Sequence, residues 1–163
     1  MEIVNRENKS EYDFEEAMNV IKNNFKAGAY TTASRDCASF IERAFRDVVR
    51  KTIPIMSERD RLRVLEAERK TGKGQKGLES FGFGEIISVI RETKFFDIWS
   101  EVSGTNLSAI KMINLTELNK CRINLAHGKG ESNKQETLSL INNLNVIIET
   151  FGLLSLKNLG QNI

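Results

Sequence analysis

The chain's single histidine, His127, follows Arg122 by five residues in the segment Lys120-Cys121-Arg122-Ile123-Asn124-Leu125-Ala126-His127-Gly128. An imidazole takes and gives a proton near neutral pH, and a guanidinium is a permanent cation whose planar fork matches phosphate. Metal-free RNA cleavage needs such groups. A base must take the 2′-OH proton, an acid must protonate the leaving 5′-oxygen, and a cation must stabilise charge on the phosphorus oxygens. One His and one Arg are half of that set. A two-fold dimer that joins two Arg122 and two His127 side chains would complete it.

Spacing alone does not put the two residues on one face. Five positions on an ideal helix are a turn of roughly 140° and a rise of roughly 7.5 Å. They can cooperate only where the helix ends, and Gly128 is placed to end it as a C′ glycine. No other constellation competes. Cys37 and Cys121 lie within predicted helices, with no CxxC spacing and no histidine partner, so they read as buried thiols rather than a disulfide, a redox pair or a metal site. With one histidine and no tight Asp/Glu cluster at ligand spacing, no metal and no cofactor is expected. The basic stretch 71–77 (TGKGQKG) is not a phosphate-binding Walker loop, because Gly77 is followed by Leu78 where that motif requires Lys.

The elements that must position the pair are helices. Phe14, Ala17, Met18, Ile21 and Phe25 form one apolar stripe at helical spacing between about Ser10 and Lys26, and Gly28 breaks it. Cys37, Phe40, Ile41, Ala44, Phe45, Val48 and Val49 form a longer stripe that ends before Pro54, the only proline. Ser57 reads as an N-cap of a short charged helix marked by Leu62 and Leu65. Phe81, Phe83, Ile86, Ile87 and Ile90 mark another helix near Gly84. Phe95, Phe96, Ile98, Trp99 and Val102 form a short apolar piece closed by Gly104. Leu107, Ile110 and Ile113 lead to Asn114, a cap for the helix that carries Leu115, Leu118, Leu125 and Ala126. Ser132 with Gln135 reads as a capping box for a last helix with Leu138, Ile141, Leu144, Ile148 and Phe151. Alternating strand patterns are nearly absent. The expected fold is all-α: an antiparallel bundle of four long helices plus short ones, in one domain over residues 1–163.

Composition limits the partners. Apolar residues make up 40% and charged residues 28%, which is globular rather than disordered. No apolar run approaches the ~18 residues of a membrane span, and the polar N-terminus is no signal peptide, so a cytoplasmic protein without a membrane partner is expected. The net charge of +2 is nearly neutral, yet eleven Lys/Arg face five Asp/Glu between Arg43 and Lys76. That basic middle, with Arg59, Arg61, Arg63, Lys70, Lys73 and Lys76, fits a polyanion such as RNA, and Lys129 beside the histidine adds to it. The competing reading is a solvated helix face.

The segment Arg122-Ile123-Asn124-Leu125-Ala126-His127-Gly128 resembles the Arg-x4-6-His signature of HEPN-domain proteins, commonly Arg-Asn-x3-His. Upstream, Ala38-Ser39-Phe40-Ile41-Glu42-Arg43-Ala44-Phe45 is similar to the family's second helix, and Phe83-Gly84-Glu85-Ile86-Ile87-Ser88-Val89-Ile90 to a Gly-Glu-hydrophobic segment of several branches. The likeness runs from about residue 12 to 152, and its specific part is the Arg/His motif. It implies a helical bundle, usually a homodimer, with the motif at the dimer cleft. It also implies a metal-independent endoribonuclease of toxin–antitoxin, phage-defence or RNA-processing systems, with an antitoxin or a larger complex as further partners. By the same resemblance Arg122 and His127 are the catalytic pair. The family's polar residue after the arginine is here Ile123, and Asn124, one position on, is the candidate to replace it. Two other readings stay open: a non-catalytic HEPN module that binds RNA, nucleotides or proteins, and a plain helical assembly protein in which the match is chance.

Overall fold

The computed structural model describes residues 12–70, 82–106, 108–128 and 130–152, and every regular element among them is helical. In order they are α1 (Phe14–Lys26), α2 (Tyr30–Thr52), a 3-10 turn (Ile53–Ile55), α3 (Glu58–Lys70), α4 (Phe83–Thr93), α5 (Phe95–Ser103), α6 (Ser108–Lys111), α7 (Leu115–Ala126) and α8 (Lys134–Phe151). The fold class is all-α, as the helical spacing predicts.

Helix ends follow local chemistry. The Asp13 side chain accepts the Glu16 N–H at the start of α1, Ser57 accepts the Asp60 N–H at α3, and Asn114 accepts the Glu117 N–H at α7. Pro54 has no N–H to continue α2, so the chain tightens into the 3-10 turn and extends at Met56. The box at α8 is not Ser132 with Gln135. Asn133 is the cap, and its side chain and Glu136 bond each other's backbone N–H groups. Ser132 is used elsewhere: its N–H donates to Thr31 Oγ1 on α2 at 3.0 Å.

Helix α2 is the spine of the fold. It packs against α1, α4, α7 and α8 and buries Cys37, Phe40, Ile41, Ala44, Phe45, Val48 and Val49, the predicted stripe. Phe45 meets Phe83 of α4 and Phe151 of α8, and Trp99 of α5 closes edge-on over Phe151. One core cluster joins these side chains with Ile141, Leu144 and Ile148 of α8. Helix α3 differs from expectation. It packs on α4 and the 3-10 turn through Val64, 1% exposed, while Leu62 and Leu65 are 59% and 54% exposed. Among the described residues no helix is long and apolar enough to cross a membrane.

Candidate functional site

Helix α7 rests on α2 and α4 and buries only Leu115, Leu118 and Leu125. Its other positions are free for polar work. Arg122 is half-buried and turns toward α2, where its Nη1 donates to Glu42 Oε2 at 3.3 Å. The other Glu42 oxygen accepts from Arg46 Nη2 at 2.9 Å. One carboxylate thus lies between two guanidiniums. Arg122 Nε and, one turn earlier, Asn119 Oδ1 are buried and meet no hydrogen-bond partner among the described residues. Asn119 faces α4, where Gly84 leaves room for it: a Cβ on Gly84 would stand 3.3 Å from Asn119 Nδ2.

His127 caps the same helix. Its backbone N–H donates to the Ile123 carbonyl, and Gly128 follows with φ +65°, the left-handed C′ residue that the sequence predicts. The imidazole is exposed. Among the described residues no hydrogen bond or ion pair joins it to Arg122. The two sit at one end of α7, with Arg122 against α2 and His127 on the solvent side. The helical neighbours of His127, three and four positions back, are Asn124 and Ile123, both exposed. With Lys120 they form one row along the open face of α7.

The first turns of α2 hold the end of α7 and the start of α8. Arg35 Nε donates at 3.0 Å to the Leu125 carbonyl, one of the last of α7, which also accepts the Gly128 N–H at 3.3 Å. Thr31 takes the Ser132 N–H. Ser34 Oγ and Thr137 Oγ1, both fully buried, share a hydrogen bond of 2.9 Å. Thr31, Arg35, Glu42 and Arg46 follow one another by four, seven and four positions, which is a single edge of an α-helix. That edge holds the Arg122 side chain and the backbone of the turn before His127. Sequence reasoning passed over Arg35, Glu42 and Arg46. The Glu42/Arg46 pair is legible as a helix i,i+4 pair, but its link to Arg122 crosses 80 residues.

The predicted RNA-binding arginines are less concentrated than expected. Arg59, Arg61 and Arg63 are all exposed on α3. Arg59 and Arg63 lie one turn apart and Arg61 roughly 200° from either, so they do not form one basic face, and Arg63 pairs with Asp60 at 3.7 Å. Lys70 is the last residue of α3; its side chain, and all of Lys73, Lys76 and Lys129, lie outside the described residues.

The environment of both thiols works against the thiolate form. Both are free, Cys37 buried and Cys121 half-buried. Burial, reinforced by Asp36, pushes the Cys37 thiol up to about 12, and burial followed by the Glu136 charge raises Cys121. An open cleft of about 330 Å³ lies between α1 and α2, lined in part by Asp13, Glu16 and Asp36. Its carboxylates suit no polyanion.

No protein-family model matches the chain, and no curated protein and no solved structure matches it.

Proposed function

We propose that the chain is a HEPN-type endoribonuclease that cuts RNA by attack of a 2′-OH on the neighbouring phosphorus, without a metal ion. His127 moves the proton: it takes that of the 2′-OH or gives one to the departing 5′-oxygen. Arg122 stabilises negative charge on the phosphorus oxygens. Asn124, one turn before the imidazole, is the polar neighbour able to orient it in place of the residue at Ile123. The products are a 2′,3′-cyclic phosphate and a 5′-OH. The observation that supports this reading most is the exposed imidazole at the end of α7, with Arg122 held less than two turns back by Glu42. Each chain offers half of the acid–base set, so a second copy, meeting the first over the face that bears Ile123 and His127, supplies the rest. Arg59, Arg61 and Arg63, with Lys70, Lys73, Lys76 and Lys129, serve as contacts to the RNA backbone. The resemblance to HEPN proteins further suggests a toxin or defence role, with an antitoxin or larger complex as partner.

The second reading is a HEPN module that binds RNA or protein and does not cut. It is favoured by the engagement of Arg122 with Glu42 rather than with His127, and by the apolar Ile123. Incubation of the full chain with RNA in EDTA separates the two. Product ends carrying a 2′,3′-cyclic phosphate support the ribonuclease. Binding without cleavage supports the module, and cleavage only on adding magnesium or manganese contradicts the proposed chemistry.

A further inference from the structure

We propose that Arg35 is a phosphate-binding residue of this site, gripping an RNA phosphate at the His127 end of α7. The inference rests on the ribonuclease reading and adds to it a cation bonded to the last turn of α7. A phosphate beside His127 would lie at the C-terminus of α7. That end of a helix carries partial negative charge from its unpaired carbonyls and disfavours an anion. Arg35 meets both needs. Its Nε donates to the Leu125 carbonyl, two residues before His127, at 3.0 Å, a carbonyl that the Gly128 N–H also meets at 3.3 Å, so a positive charge lies against that negative helix end. A guanidinium has five N–H donors. Among the described residues Arg35 uses only the one on Nε, which leaves four on the two terminal nitrogens of an exposed side chain.

Arg122 is less free for this task. It shares the Glu42 carboxylate with Arg46 and points away from the histidine by roughly 140°. No carboxylate is paired with Arg35 among the described residues. Its neighbour Asp36 accepts from Asn24 of α1 at 3.2 Å, on another side of α2. Fixing the guanidinium through Nε also reduces the ordering that phosphate binding would otherwise require. The terminal nitrogens are then left as a bidentate fork at the end of α7 that carries the proton-transfer residue.

The test measures binding of a short single-stranded oligouridine to the His127→Ala chain, with and without Arg35→Gln, across a salt series. Loss of one phosphate contact lowers the slope of log affinity against log salt by about 0.7 for a single strand. The expected result is that drop, with Arg35→Lys restoring the slope whatever either substitution does to the thermal midpoint. An unchanged slope in Arg35→Gln, while the parent chain binds RNA, overturns the phosphate role and leaves Arg35 as a helix-end anchor. Parent and wild-type chains that neither bind nor cut RNA overturn the ribonuclease reading as well. Should Arg35→Gln not fold, Arg35→Met, which keeps the stem and removes the charge, takes its place in the comparison.

Discussion

Glu42 accepts from Arg46 at 2.9 Å and from Arg122 at 3.3 Å, and it is the residue on which the orientation of Arg122 depends. A charge-assisted bond of this kind, partly out of water, stabilises by more than a neutral one, and removing one partner leaves the other unmet. Glu42→Gln keeps the shape and removes the charge. The expected outcome is a loss of about 1–3 kcal/mol in urea unfolding and a fall in kcat/KM of up to about 10²-fold, from misplacement of the phosphate-binding group. Lost stability at unchanged kcat/KM would reduce the pair to a structural bridge. Asn124 carries a second prediction. It and Ile123 are the nearest helical neighbours of His127, and only Asn124 can hydrogen-bond. Asn124→Ala is expected to lower cleavage strongly, with Ile123→Asn changing it little. If Asn124→Ala cuts like wild type, while Ile123→Asn gains activity, the orienting role belongs to neither residue in the natural chain.

At the scale of elements, most of the architecture was legible because it is local. The period of apolar residues along α1, α2 and α8, the missing N–H of Pro54 and the caps at Ser57 and Asn114 each act within one or two turns. The capping box was not. The stretch Ser132-Asn133-Lys134-Gln135-Glu136 offers two overlapping boxes, and the choice is made by Thr31, about a hundred residues away, which takes the Ser132 N–H. Likewise α3 has only a few apolar positions, and it is packing on α4 that buries Val64 and leaves Leu62 and Leu65 in water. At the candidate site, the exposed end of α7, Gly128 and the place of His127 were readable. The α2 edge behind that helix end was not, since Arg35–Leu125 and Glu42–Arg122 are contacts of the folded chain alone. The turn after His127 gives a prediction. Gly128 has φ +65° with open space around a would-be Cβ, so Gly128→Ala adds left-handed backbone strain of roughly 1–2 kcal/mol and no clash. Gly130 has equally open space and no positive φ. Gly130→Ala should leave the urea midpoint nearly unchanged, and equal effects of the two substitutions would contradict this account of the turn.

For the whole molecule, the core built around α2 leaves α7 as an outer helix whose open face bears Lys120, Ile123, Asn124 and His127. Ile123 is 40% exposed there, an apolar contact available to a second copy. A homodimer is the expected state, since one chain offers half of the acid–base set. Light scattering at micromolar concentration should give twice the mass of 18.5 kDa, and Ile123→Asp should shift it to the monomer. A monomer in the wild-type chain would count against a shared two-fold site. The central claim is that His127 transfers a proton in RNA cleavage, and it is tested most directly by following RNA cleavage in chelator for the wild-type chain and His127→Ala side by side. Because the side chain is exposed, the variant is expected to fold as the wild type does, and its cleavage rate to fall by roughly 10²–10⁴-fold. Equal rates from the two proteins would contradict the claim.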